Sequence, residues 1–273
     1  MPGDSPSIPN PGLGTYRVTD PEECESSVRT ALEVGYRHVD TAEAYRNEEA
    51  VGAALAAADV PRSDVFLATK VLHPKFTDDY SRESIVGSMH ACLERLDVET
   101  VDLMYGVHWP GGDYDPAEAM AACADVVDEG LTDLVGVCNM TPELVDEARD
   151  HSDVPISALQ VEMHPLLQQR ALREYCAEND ITLVAYAPLG NGAVLDVPEL
   201  QEIGTRYDAS AAQVSLAWLR EKGVVAIPKS TIEAHIRDNF VSRDLDLDAA
   251  DVEAIDDIGR EERQYDPDYA PDW

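Results

Sequence analysis

Three residues of complementary acid–base type, Asp40, Lys70 and His108, end successive short apolar runs, and Tyr45 follows shortly after the first. A tyrosine phenol ordinarily ionises near about pH 10 and is a poor proton donor at neutral pH, but a neighbouring ammonium favours the phenolate. Lys70 can supply that cation, and Asp40 is the carboxylate that would keep Lys70 charged in a partly buried place. His108 offers a hydrogen bond to a substrate oxygen. A tuned proton donor and an oxygen-orienting imidazole, with no nucleophile beside them, suit a carbonyl that takes hydride from one side and a proton from the other. Any one of the four taken alone reads more readily as a surface charge or a strand cap than as a catalytic group. The reading rests on their succession. Later apolar runs also end in polar residues: Asn139, Gln160 with Glu162, Tyr186, and Lys229 with Ser230.

The elements that must position these side chains follow from the periodicity. Strands are expected over 37–40, 65–71, 101–108, 134–138, 158–161, 181–187 and 224–228, with a weaker eighth near Phe240. Helical patterns lie between them over 22–34, 48–58, 81–96, 116–129, 142–150, 170–179 and 209–222, and Asp20-Pro21 and Thr141-Pro142 mark helix starts. Alternation of this kind, with near-continuous apolar strands such as VDLMYGV, calls for a parallel sheet buried on both faces. The α/β class follows, as a single (β/α)8 TIM barrel. No linker interrupts the run, so residues 1–273 form one domain with its core at about 11–269. Residues 1–15 are expected to form a small hairpin closing the barrel bottom, and 248–258 an extra helix before a polar tail. In such a barrel the strand C-termini carry the chemistry, which is where the polar residues fall.

The chain carries 54 Asp or Glu against 20 Lys or Arg, a formal net charge of −34 over 273 residues. Clustered cations that could neutralise phosphates are absent, which argues against nucleic acid and anionic lipid as partners. Lysine stands at only four positions, 70, 75, 222 and 229, and arginine supplies the remaining cations. Short anions with few long aliphatic cations are the composition of a protein that stays hydrated in concentrated salt, and a halophilic source is the expectation. Where lysine is this scarce, each one is a candidate for a specific task. Five cysteines, at 24, 92, 123, 138 and 176, are scattered singly without a C-x-x-C pair, as in a reducing compartment. The first twenty residues lack a secretory pattern and no long apolar window occurs, so a cytoplasmic protein without a membrane role is expected. The histidines form no H-x-H or H-E-x-x-H pair, and the acidic run DLDLDAADVEAIDD lacks the central glycine of a calcium loop, so no metal is expected.

The same residues carry a resemblance. GLGTYR (12–17), GYRHVDTAEAYRNEEAVGAAL (35–55), ATKV (68–71), VDLMYGVHWP (101–110), GVCNM (136–140), LQVEMHP (159–165), VAYAPLG (184–190) and IPKS (227–230) resemble the aldo-keto reductases. They are most similar to the microbial branch that contains the 2,5-diketo-D-gluconate reductases. The resemblance implies Tyr45 as general acid, Lys70 and Asp40 as the pair that tunes it, and His108 as the group orienting the carbonyl. It implies an extended nicotinamide dinucleotide without a Rossmann domain, in accord with the failed G-x-G-x-x-G at Gly12, Gly14 and Arg17. By resemblance Asn139 and Gln160 hold the carboxamide, Tyr186 stacks on the nicotinamide, Leu189 borders the cofactor, Lys229 and Ser230 meet the adenosine 2′-phosphate, and Asp238 and Asn239 contact the adenine. Tyr16, Leu72 and Trp109 would wall the substrate pocket with His108. Two departures stand out: Cys138 replaces a serine before Asn139, and His235 stands where many members carry an arginine for the 2′-phosphate, with Arg237 a possible substitute.

The expectation is a monomeric NADPH-dependent reductase of a small aldehyde or ketone substrate, sugar-derived dicarbonyls included, with use of NAD(H) left open by His235. One alternative is the same site working as an NAD(P)-dependent alcohol or polyol dehydrogenase. A non-enzymatic alternative is a cofactor-binding regulatory subunit on the same barrel, against which the intact tetrad argues.

Overall fold

The computed structural model describes residues 8–76 and 79–273. Eight strands lie parallel in chain order in one sheet: β1 (Leu13–Gly14), β2 (His38–Asp40), β3 (Phe66–Lys70), β4 (Val101–Val107), β5 (Thr132–Cys138), β6 (Ile156–Glu162), β7 (Thr182–Tyr186) and β8 (Val225–Ala226). Bonds from Gly12 N to Ala226 O (2.9 Å) and Gly14 N to Pro228 O (3.1 Å) join the first strand to the last and close the sheet. Around it run α1 (Pro21–Val34), α2 (Glu48–Ala57), α3 (Arg82–Leu96), α4 (Pro116–Asp128), α5 (Pro142–Asp150), α6 (Arg170–Glu178), α7 (Pro198–Tyr207), α8 (Ala211–Glu221), α9 (Glu233–Val241) and α10 (Ala249–Asp256). This is the (β/α)8 architecture. Among the described residues no helix is long and apolar enough to cross a membrane.

Local chemistry sets the helix starts. Asp20 accepts from Glu23 N (3.0 Å) ahead of Pro21, Thr141 caps α5 ahead of Pro142, and Ser210 with Gln213 forms a reciprocal capping box on α8. In β4 every residue but Asp102 is buried, as expected of a strand covered on both faces. Side chains then alternate between two apolar bodies. Ala68, Leu103, Tyr105, Cys138, Ala158, Val184, Val225 and Ile227 pack together inside the barrel. Met104, Val107, Val137, Leu159 and their neighbours pack outward against the helices. Following the inward face toward each strand's C-terminus leads from His38 to Asp40, from Ala68 to Lys70, from Ala158 to Gln160 and Glu162, from Val184 to Tyr186, and from Ile227 to Lys229. A period of two thus delivers the polar set to one rim.

Two expectations are corrected. Phe240 lies in α9, not in a strand, with its ring 4.9 Å from that of Tyr36. The remaining strand is β1, whose two residues are too few for any alternation to show. The expected N-terminal hairpin falls partly outside the described residues at 1–7, and what is described of it is not a hairpin. Asn10 bridges Val224 O (2.9 Å) and Ala226 N (3.0 Å), Ile8 joins the interior cluster, and the chain enters β1 parallel to β2. Helix α7 was not anticipated; Leu200 and Ile203 bury its short apolar face. The extra helix expected at 248–258 is α10, capped by Asp248.

The barrel seam is tight. A Cβ on Gly14 would stand 2.8 Å from Ile227 O, so only glycine lets β1 approach the chain following β8 this closely.

Candidate active site

Asp40 and Lys70 end adjacent strands, and both are about 1% exposed. Lys70 Nζ donates to Asp40 Oδ1 at 2.5 Å and to Thr41 O at 2.9 Å, while Gln160 Nε2 donates to Asp40 Oδ2 at 2.8 Å. A buried ammonium is therefore met by a carboxylate that has its own second partner, the condition under which such a pair is tolerated. Above it, Lys70 Nζ lies 5.1 Å from the centroid of the Tyr45 ring, and the Tyr45 and His108 rings meet edge-on at 6.0 Å. The loop carrying Tyr45 is tied down by Asn47, whose amide donates to Thr15 O (2.9 Å) and Val18 O (3.0 Å) and whose oxygen accepts from Thr41 Oγ1 (3.0 Å). Glu48, fully buried, accepts from Thr69 Oγ1 (2.7 Å) and Arg95 Nε (2.7 Å) and fixes the same loop against β3.

Protonation differs in one respect from the expectation. Burial, followed by the negative charge of Asp40, holds the Tyr45 phenol well above its usual range. The Lys70 ammonium nearby, itself paired with Asp40 at contact distance, does not outweigh these two. The resting phenol keeps its proton. Burial first, then the charge of Lys70, pushes His108 well below the usual imidazole value, so its ring is neutral. A neutral imidazole carries one N–H and one acceptor, and His108 Nδ1 has no partner among the described residues.

These groups stand at one end of a cleft of about 830 Å³, walled there by Tyr16, His73, Trp109, Tyr265 and Tyr269 and reaching past Tyr186 and Leu189 to Lys229. Along its floor Asn139 donates to His108 O (2.9 Å) and accepts from Tyr186 OH (2.9 Å). The second amide N–H of Asn139 has no partner among the described residues and is free to meet a carbonyl oxygen. Buried Cys138 lines the same floor. At the far end Lys229 is exposed and in no ion pair among the described residues. Ser230 Oγ accepts from Ile232 N (3.1 Å) at the N-terminus of α9. A free ammonium beside a helix N-terminus is a setting for a phosphate. An aromatic wall, an amide-bearing floor and a cationic end suit an extended nicotinamide dinucleotide.

Not every expected residue joins the cleft. Leu72 packs into the outer core and does not line it; the neighbouring His73 takes that place, edge-on to His108 at 4.7 Å. Burial, then Lys75, lowers the His73 imidazole to about 4, so this ring too is neutral. Asp238 is engaged elsewhere: its carboxylate accepts from Ser210 Oγ (2.7 Å) and Gln213 Nε2 (2.9 Å), tying α9 to α8. Arg237 pairs with Glu233 at 2.8 Å, a competing partner for any phosphate contact, while His235 is exposed on the first turn of α9 and Asn239 is buried. Residues overlooked in the sequence include Asn47 and His73, of which the first had a signal, an amide next to a helix start.

A sequence model of the Aldo/keto reductase family matches residues 12–260. The chain is 36% identical over 263 residues to the 9,11-endoperoxide prostaglandin H2 reductase of Trypanosoma cruzi, covering 95% of this chain and 91% of that protein. It is 35% identical over 252 residues to the glyoxal reductase of Bacillus subtilis, covering 92% and 89%. With the methylglyoxal reductase DkgB of Escherichia coli O157:H7 it shares 35% over 271 residues, covering 98% and 99%. Among solved structures, a candidate 2,5-diketo-D-gluconic acid reductase B superposes with a TM-score of 0.92 at 36% identity, covering 97% of this chain and 94% of the other. The aldose reductase of Schistosoma japonicum superposes at 0.88 and 30% identity, covering 95% and 91%.

Proposed function

Since this chain belongs to the aldo/keto reductase family and is an oxidoreductase acting on carbonyl groups, we propose that it reduces small aldehydes and ketones, sugar-derived dicarbonyls among them, with NADPH. The observation that carries the reading is the buried Lys70–Asp40 pair beneath Tyr45, with neutral His108 beside it at the inner end of the cleft. The bound nicotinamide would supply the hydride. Tyr45 gives its phenolic proton to the carbonyl oxygen, and Lys70 favours the phenolate that remains. Asp40 keeps Lys70 charged and in place. His108 donates its single N–H to the same oxygen and so sets the face presented for reaction. The aromatic walls exclude water from that end of the cleft.

For the cofactor, Asn139 and Gln160 take the carboxamide, Tyr186 covers the ring, and Leu189 borders the pyrophosphate end. Lys229 and Ser230 take the 2′-phosphate at the start of α9, with Asn239 nearby for the adenine. Asp238 serves the α8–α9 contact rather than the adenine. His235 supplies no fixed charge, which leaves NADH a poorer but accepted cofactor. The chain works as a monomer, and its free, buried cysteines support a cytoplasmic setting. The charge of −34 supports action in concentrated salt.

The test is consumption of NADPH or NADH in molar KCl with glyoxal, methylglyoxal and simple aldehydes. Turnover with NADPH above NADH is expected. No oxidation of either cofactor across the panel overturns the reading.

A further inference from the structure

Glu162 ends β6 on the inward face, one step beyond Gln160, and is 1% exposed. It has no part in the proton or hydride chemistry. Its carboxylate instead receives the C-terminal tail: Oε1 accepts from Gln264 N at 2.7 Å and Oε2 from Tyr265 N at 2.8 Å. The His164 ring nitrogen Nε2 lies 2.9 Å from Oε1, and Gln169 Nε2 donates to the Glu162 carbonyl at 2.9 Å. One further bond, from Glu262 N to Leu166 O at 2.7 Å, fastens the tail to the same loop.

What lies beyond this fastening is the wall of the cleft. Tyr265 packs edge-on to Tyr186 at 5.5 Å and to Tyr16 at 6.0 Å. Tyr269 packs edge-on to Trp109 and to His73, both at 5.5 Å. Two consecutive backbone N–H groups need two acceptor oxygens at fixed spacing, which a carboxylate has and a carboxamide lacks. Bonds from neutral donors to a buried anion are also stronger than neutral pairs.

We propose that Glu162 is a positioning residue that holds the C-terminal tail across the cleft through Gln264 and Tyr265, and thereby sets which carbonyl substrates fit between Trp109, Tyr265 and Tyr269. Bulky substrates depend on the wall standing in place. Small dicarbonyls, reached mainly by Tyr45 and His108, do not. The substrate part of this inference rests on the carbonyl-reductase reading; the tail contact does not.

The experiment compares Glu162→Gln with wild type by hydrogen exchange of the tail amides and by steady-state kinetics on methylglyoxal and on an aryl aldehyde. In the variant one amide loses its acceptor and faces an NH2 group. Protection at 264–265 should fall by about tenfold or more, the scale of one charge-assisted bond. KM for the aryl aldehyde should rise by about the same factor while kcat for methylglyoxal stays within about twofold. Unchanged exchange overturns the proposal, and so does an equal loss of kcat/KM on both substrates. Gln264→Pro removes one donor from the tail side without touching the barrel and should reproduce the selective rise in KM; a wild-type profile in that variant also overturns it. A protein inactive on both substrates whose tail exchanges faster would fault the functional reading and uphold the latch.

Discussion

Tyr45, Lys70, Asp40 and His108 show how a residue's meaning depends on its neighbours. The types and the succession of the four were legible in the sequence because Asp40, Lys70 and His108 end apolar runs and Tyr45 follows the first; the inward period of two brings Asp40 and Lys70 to one rim, while a register shift between Tyr105 and Val107 precedes His108. Their electrostatics were not legible. The sequence favours a phenol lowered by Lys70, whereas burial dominates and the negative charge of Asp40 adds to it. Removing one partner of this pair should therefore cost more than activity. Lys70→Met leaves Asp40 charged and buried, and urea denaturation should show a loss of about 3–5 kcal/mol. Adding Asp40→Asn should restore part of that loss, and a single variant as stable as wild type would mean that the pair is not desolvated. At the other end of the cleft, His235→Arg adds a fixed charge on the first turn of α9, six residues after Lys229. The ratio of NADPH to NADH affinity should rise by about tenfold, as a charge-assisted contact to phosphate would give, and an unchanged ratio would detach that position from cofactor choice.

At the scale of elements, the long strands and most helices were legible because their periodicity is strong and their caps are local. Helix α9 and strand β1 were not, for different reasons. Phe240 reads as a strand residue by type but is held in a helix by its contact with Tyr36, and β1 is defined by partners distant in sequence. The segment leading into β1 rests on His38, whose Nδ1 lies 3.1 Å from Pro9 O. Burial lowers this imidazole to about 4, against about 6.5 in the unfolded chain. The unfolded state then takes up the proton first, so the contribution is complete above about pH 6.5 and is lost as pH falls from there toward about 4. The window is worth about 3 kcal/mol at most. Urea midpoints measured across it should fall more steeply in wild type than in His38→Gln, and parallel slopes would show that His38 is not buried neutral.

For the whole molecule, net charge and lysine placement belong together. Lys70 pairs with Asp40 and Lys222 with Asp256, while Lys75 and Lys229 line the cleft and are in no ion pair among the described residues. An anionic protein thus keeps Lys229, in no ion pair among the described residues, at the end of the cleft where an anionic cofactor would bind. Self-repulsion elsewhere is screened over about 10 Å at 0.1 M salt and about 3 Å at 1 M. The melting temperature should rise with KCl over that range, and NADPH affinity should hold or rise, the reverse of phosphate binding on a basic surface. A steep loss of affinity with the fold intact would mean that screening does not assist entry. The central claim is that the protein reduces carbonyls with Tyr45 as proton donor, and one measurement addresses it directly. Turnover of methylglyoxal with NADPH in molar KCl is compared between wild type and Tyr45→Phe, with NADPH binding followed by fluorescence in both. The account predicts a loss of turnover of about 10²–10⁴-fold with NADPH affinity unchanged; full turnover in the variant would contradict it.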